Sequence, residues 1–369
     1  MDRAGTAPES PDTTFSSHRT TPAGAGAPQR IEIADLRRSL LARRRRWVCT
    51  VATLLALVLG LCCVEIMIGN TVYSPGTIAA ALTGADIEGA TYAVWEVRLP
   101  RLLAGTLVGF AFGVAGNTFQ TMLRNPLASP DIIGITSGAS VTAVFCILIV
   151  GMGASEAAPW AIAGGVFTAA LIFALSSIRR FSIGKFVLVG LGVQAFMKAV
   201  TSYVLLQGAE FDVPTALRWL NGSLSGTTME EVAGLLVIVP LCALAMLLAR
   251  QLRVLELGDT SAIMLGARPT LVRSALVLCT VATIACGTAV TGPIACVTLL
   301  AGPIAARLVG QGSSATVPAG LVGAALVLAA DLVGQYVLGT RFPVGVVTGI
   351  LGTPYLLYLL VHMNKKGAL

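Results

Sequence analysis

The chain has 369 residues, of which 55% are hydrophobic and 12% charged, with a formal net charge of +7; a soluble globular protein carries about 25% charged residues. So few charged side chains cannot clothe soluble domains, which excludes a soluble enzyme, a nucleic-acid-binding protein and a disordered scaffold. The composition is that of an all-α, polytopic membrane protein.

Residues 1–29 are rich in Pro, Ser, Thr, Ala and Gly without apolar periodicity and read as a disordered cytoplasmic tail. Residues 30–46 (RIEIADLRRSLLARRRR) read as a basic amphipathic juxtamembrane segment resting on lipid headgroups. The first apolar run opens at Trp47, too far along for a signal peptide, and four preceding arginines hold the N-terminus in the cytoplasm. A helix needs about 20 residues to cross the hydrocarbon of a bilayer. Such runs predict ten spans near 47–68, 101–121, 134–152, 158–178, 185–207, 230–250, 271–290, 292–309, 316–338 and 343–362. They form one transporter domain, 47–362, with a cytoplasmic loop at 251–270 and a cytoplasmic C-terminal tail at 363–369. The third span is the shortest, and an internal proline and glycine loosen the ends of the eighth.

Charge placement agrees with this count. Inward loops or adjoining helix ends carry Arg124, Arg179, Arg180, Arg250, Arg253, Arg268, Arg273, Arg307, Lys365 and Lys366, while outward segments carry Asp86, Glu88, Glu96, Glu210 and Asp212. Arg98, Arg101, Arg218 and Arg341 depart from the bias. Spans two to five start outward and seven to ten inward, so two halves of opposite topology fit a common transporter plan. The eight cysteines lie in or beside apolar stretches and read as small hydrophobes, and two histidines far apart argue against a histidine metal site.

Within span two, Gly105, Gly109, Gly113 and Gly116 recur three or four apart, a face on which a neighbouring helix packs closely. Asn117 and Gln120 in the same span either line a pathway or join helices. The segment Arg124-Asn125-Pro126-Leu127-Ala128-Ser129-Pro130 makes a sharp turn, with Ser129 or Asp131 as the next cap. Lys198, deep in span five, is costly in lipid unless it snorkels or faces an aqueous path, and Gln194 accompanies it as a candidate pathway residue. In the 251–270 loop, Leu252, Leu255 and Leu257 precede Gly258, and Ala262, Ile263 and Leu265 precede Gly266. Two short helices broken at Gly258 would present an apolar knob flanked by Arg253, Glu256, Asp259 and Arg268, which fits a docked cytoplasmic partner.

Several ordered motifs carry a family resemblance. Arg98-Leu99-Pro100-Arg101, the glycine face, RNPLASPDIIGITSGAS, Trp219-Leu220-Asn221-Gly222-Ser223, the Leu257–Gly266 loop and Phe342-Pro343-Val344-Gly345 with Gly352-Thr353-Pro354 resemble permease subunits of bacterial ABC importers for iron–siderophore, haem and vitamin B12. The general style is most similar to ferric-siderophore permeases of high-GC Gram-positive bacteria. The resemblance implies a vitamin B12 importer permease-like fold in the cell membrane. It also implies a second permease subunit (a paralogue or an identical copy), two cytoplasmic ATPase subunits and an extracytoplasmic substrate-binding lipoprotein. By the same resemblance, Leu255, Leu257, Gly258, Asp259, Ala262, Leu265, Gly266 and Arg268 match the element that couples to the ATPase. Arg98 and Arg101 match arginines that dock the binding protein, and Asp331 matches a family aspartate. Gln335 stands where some members carry another docking arginine, and Arg341 where many have glutamate. Span eight lacks the family's Phe, one Gly, its His and one Arg. The chain has no GxxxxGK[ST] phosphate loop, so it is expected to hold no cofactor, with ATP and Mg bound by the partner ATPases. A haem or cobalamin importer is the nearest alternative. An ion-coupled secondary transporter is a further one, although charges within spans are restricted to Glu65, Lys198 and Asp331.

Overall fold

The computed structural model describes residues 33–177, 183–255, 258–310 and 312–364. The expected 1–29 tail, the last five residues of the C-terminal tail, Arg179, Arg180 and Leu257 lie outside them. The chain divides into two compact units, Met1–Ala42 and Arg43–Leu369. Of the first, the described residues are helical. The second is a helical bundle in which, among the described residues, every regular element is a helix.

Among the described residues ten apolar helices carry the architecture: α1 (Ile33–Met67), α2 (Leu99–Leu123), α3 (Ile135–Phe145), α4 (Ala154–Ser177), α5 (Ile183–Gln207), α6 (Ile238–Leu255), α7 (Pro269–Thr291), α8 (Val297–Val309), α9 (Thr316–Tyr336) and α10 (Val344–Asn364). Among the described residues seven, taken with their flanking turns, are long and apolar enough to cross a membrane, and the apolar helices at Ile135–Val150 and Val297–Val309 are shorter. They fall on the ten predicted spans. Helix α1 runs from Ile33 to Met67, so it starts ahead of the first span predicted at Trp47. The stretch Ile33–Arg46 is rich in Leu, Ala and Arg and lacks Gly and Pro, so nothing in it ends a helix. The eighth span also differs: residues 292–296 are irregular, with Gly292 at φ 69° and Cys296 at φ 65°, and the helix starts only at Val297.

The centre of the bundle is α2. In its most apolar stretch 78% of residues are buried, against 11% for α1 and 17% for α5, which places those two at the periphery. Helix α9 lies along α2, α8 packs on both, α6 and α7 close another side, and α3, α4 and α5 form a neighbouring layer. The glycine face makes this closeness feasible. A Cβ on Gly109 would sit 2.7 Å from the Gly323 carbonyl oxygen of α9, and one on Gly113 would overlap the Ala319 carbonyl. Three motif segments distant in sequence are knitted together: Ser223 N–H donates to the Thr291 carbonyl at 2.7 Å, and Gly345 N–H to the Gly222 carbonyl at 3.1 Å.

Candidate functional site: a rim cavity, a polar cavity and an exposed loop

At the end of the bundle where α1 finishes, Arg98, Arg101, Gln335 and Arg341 line one cavity of about 240 Å³ together with Glu65 and Tyr73. The four residues expected to dock a partner are thus assembled in one place. Their donors are already engaged within the chain. Arg98 is buried, donates to the carbonyls of Ile66 (2.8 Å), Met67 (2.9 Å) and Thr71 (2.6 Å), and lies 4.7 Å from the Tyr73 ring centroid. It ties the end of α1 to the start of α2. Arg101 grips Asp331 with two hydrogen bonds, Nε to Oδ2 at 2.7 Å and Nη2 to Oδ1 at 2.6 Å, the bidentate geometry that makes arginine–carboxylate pairs strong. The Gln335 amide also donates to Asp331. Arg341 is exposed and donates to Asn70 Oδ1 at 2.7 Å.

A second cavity, about 480 Å³, lies among α3, α5, the short helix Val213–Leu220 and the irregular 292–296 segment. Its wall is rich in hydroxyls, from Thr136, Ser137, Ser140, Thr201 and Ser202, and includes Gln194 and Lys198. Asp131 lines it too, but its carboxylate accepts from Thr298 Oγ1 at 3.0 Å and Ser129 Oγ at 3.1 Å. Ser129 also caps the turn Pro130–Ile133 by accepting from Asp131 N–H. Among the described residues no acid pairs with Lys198. Gln194 and Lys198 thus line one polar cavity. Asn117 and Gln120 do not: Asn117 donates to Thr316 Oγ1 at 3.2 Å and Gln120 to the Leu299 carbonyl at 3.0 Å. These two buried amides join α2 to α9 and α8.

At the opposite end from the rim cavity, α6 continues to Leu255, and a turn at Gly258 (φ 97°) leads into a short helix, Asp259–Met264. A glycine fits there because side chains disfavour positive φ. Leu255 and Ala262 point inward and pack with Leu252, Val272 and Leu276. Ile263 (60% exposed), Met264 (83%) and Leu265 (67%) stand in the open. Leu265, Gly266 and Arg268 lead on to Pro269 at the start of α7. Of the expected knob, Ile263 and Leu265 are outward while Leu252, Leu255 and Ala262 pack beneath them. Met264, the most exposed of the three, was not singled out by the sequence, because its outward direction follows from where the short helix starts.

Among the described residues, a bundle of apolar helices, seven of them long and apolar enough to cross a membrane, encloses a polar cavity and carries an apolar projection at one end, the architecture of a polytopic membrane protein. The chain belongs to the FecCD transport family, whose sequence profile matches residues 55–362. It is 39% identical over 322 residues to the achromobactin transport system permease of Dickeya dadantii, covering 85% of this chain and 91% of that protein. It is 34% identical over 300 residues to the ferric enterobactin transport system permease of Escherichia coli, covering 81% and 91%. A vitamin B12 import system permease of Vibrio cholerae is 30% identical, covering 90% and 99%. Among solved structures, a metal-chelate type ABC transporter in an inward-facing conformation superposes with a TM-score of 0.75 at 25% identity, covering 85% of this chain and 98% of that one. The chain is accordingly a multi-pass ABC importer permease. Permeases of this family are transport subunits, and a separate ATPase hydrolyses ATP.

Proposed function

We propose that this permease moves a ferric siderophore across the cytoplasmic membrane, receiving it from an extracytoplasmic binding lipoprotein. The observation that carries the substrate class is the 480 Å³ cavity, whose hydroxyl-rich wall holds Lys198 without an acidic partner among the described residues. An unpaired ammonium at membrane depth is tolerated where it faces water and attracts anions, and ferric siderophore chelates are commonly anionic. The relatives whose names specify achromobactin and ferric enterobactin support the same reading.

In this reading the rim cavity faces outward, both termini are cytoplasmic, and the Asp259–Met264 helix meets the ATPase. Ile263, Met264 and Leu265, with Leu255, Ala262 and the Gly258 and Gly266 turns behind them, enter a groove on each of two ATPase subunits, and Leu257, Asp259 and Arg268 are assigned to the same coupling element on the family resemblance. Those subunits bind ATP and Mg. A second permease subunit, paralogue or identical copy, completes the pathway across from Gln194 and Lys198. Arg341, exposed and bonded to Asn70, is the rim cation that turns toward a docking carboxylate, with Arg101 behind it, Arg98 fixing the geometry and Gln335 steadying Asp331. Complementary charge there sets register and encounter rate.

The test is ATP hydrolysis in liposomes by the permease co-expressed with its neighbouring permease, ATPase and binding-protein genes. Ferric siderophores, haem and cobalamin are supplied separately. Stimulation by a ferric siderophore alone supports the proposal. Stimulation by haem or cobalamin overturns the substrate, and an intact, inserted complex that never couples to an ATPase overturns the partner assignment.

A further inference from the structure

Between α8, α9 and α10 lies a cavity of about 260 Å³ with an apolar wall. Val297, Leu300 and Ile304 recur at helical spacing along α8, Leu326 faces them from α9, and Leu351 and Tyr355 close the wall from α10. The Thr348 hydroxyl, which also lines it, is spent on the Gly345 carbonyl at 3.1 Å. The wall therefore offers hydrocarbon contact rather than polar recognition. Leu351 is exposed as well as lining the cavity, so the opening is on the lateral surface of the bundle, where a membrane protein meets acyl chains.

A cation stands one helical turn beyond this cavity. The Tyr355 ring lies 6.3 Å from the Tyr358 ring, and the Arg307 guanidinium lies 5.8 Å from the centroid of Tyr358. Arg307 is exposed, and among the described residues its guanidinium meets no carboxylate and no hydrogen-bond acceptor. The start of α1 brings further positive charge to the same place. Arg46 donates to the carbonyls of Leu308 (2.9 Å) and Arg307 (3.0 Å), and Arg43 lies against Gly312 just beyond the end of α8. Neither arginine pairs with an acid among the described residues. From Arg46 to Met67, at the rim, α1 rises about 30 Å, the thickness of the hydrocarbon. The three guanidinium groups therefore stand at the level of lipid headgroups, with the apolar cavity directly below them.

We propose that the α8–α10 cavity and Arg307 form a binding site for an anionic phospholipid, one acyl chain filling the cavity and the phosphate resting on Arg307, with Arg43 and Arg46 adding attraction. A guanidinium fork matches a phosphate in geometry as well as charge, and the Tyr358 ring steadies that fork through a cation–π contact. Basic pockets between membrane helices at headgroup level select anionic lipids in this way. A zwitterionic lipid with the same chains would fill the cavity equally well but gain no net attraction from the arginines. A bound lipid would bridge α8, α9 and α10 and bring its headgroup to the start of α1. A second permease subunit laid over the groove would instead exclude the lipid, so the two occupants give opposite results.

The assembled transporter is placed in nanodiscs of equal parts phosphatidylglycerol and phosphatidylcholine with identical chains. A trace of one lipid or the other carries a photoactivatable diazirine at mid-chain, and crosslinks are mapped by peptide mass spectrometry. The phosphatidylglycerol probe should label α8 and α10 around Ile304 and Leu351 roughly fivefold more than the phosphatidylcholine probe, the attraction that one basic residue near a headgroup supplies. Arg307→Gln, at an exposed position, should erase that difference without changing accumulation of the permease. Ala329→Phe narrows the cavity without altering any charge and should lower labelling there by both probes. Equal labelling by the two probes in the parent overturns the anionic selectivity. A preference that survives Arg307→Gln overturns the role of that arginine. Labelling absent from the cavity in the parent, or undiminished in Ala329→Phe, overturns the site itself, the first being the result expected if a second subunit covers it.

Discussion

The guanidinium of Arg124 donates through Nη2 to the carbonyl of Leu255 at 2.8 Å. Arg124 ends α2 in a left-handed conformation (φ 52°), and Leu255 is the last residue of α6 before the exposed loop. The central helix of the bundle is therefore fastened to the root of the element proposed to meet the ATPase. A push on that loop has a short, polar route into the bundle core.

Arg124→Ala is expected to weaken this fastening by about 1.5–3 kcal/mol, the range for a hydrogen bond to a charged group. In reconstituted transporter, substrate-stimulated ATP hydrolysis should fall several-fold while basal hydrolysis and permease accumulation persist. Equal stimulation in the variant and the parent would remove Arg124 from the coupling route.

Met264→Asp and Ala262→Asp separate recognition from folding. Met264 is 83% exposed, so its replacement should cost the isolated permease no more than about 0.5 kcal/mol. A charge in an apolar groove, however, should abolish co-purification of the ATPase. Ala262 is fully buried beneath it, and an aspartate there should lower the unfolding temperature even without the ATPase.

The close approach of α2 and α9 makes Gly113→Leu a severe lesion. Its side chain would have to displace the α9 backbone at Ala319, so the variant should fail to accumulate as a monodisperse protein. Gly60→Leu on α1 is the matched control. Nothing lies within 4 Å of the position of its added Cβ, and it should fold as the parent does. Size-exclusion profiles of the two variants decide the point.

Lys198→Met should reduce stimulation by an anionic ferric chelate by roughly tenfold, equivalent to about 1.4 kcal/mol. Lys198→Arg should retain most of it, and stimulation by a neutral substrate should be insensitive to either change. Unchanged transport of an anionic chelate by a normally accumulating Lys198→Met would dissociate the charge from substrate passage.

Much of this was legible in the chain because helices advertise themselves by length and period. Gly105, Gly109, Gly113 and Gly116 recur at helical spacing, and the close contact they predict is the one α2 makes. Lys198 and Gln194, four residues apart on α5, do face one cavity. Gln120, on the same kind of reasoning, could not be separated from Lys198, because only the position of the Leu299 carbonyl shows that its amide is used up. The pairing of Arg101 with Asp331 spans 230 residues and follows no period. The start of the irregular segment at Gly292 was signalled by Gly292-Pro293, but the left-handed turn at Cys296, a residue type that seldom adopts it, was not.

With 13 residues, α8 extends about 20 Å, whereas the hydrocarbon is about 30 Å thick. The irregular 292–296 backbone precedes it, and of that segment Pro293, Ile294 and Ala295 line the polar cavity. Unwound backbone survives at that depth only against protein or water. Here the unwound backbone is held by protein: a Cβ on Gly292 would overlap the Trp219 carbonyl, and one on Gly222 the Pro293 carbonyl. The polar cavity's wall at Pro293–Ala295 therefore rests directly on the Trp219–Gly222 backbone, and neither segment has room to move without the other.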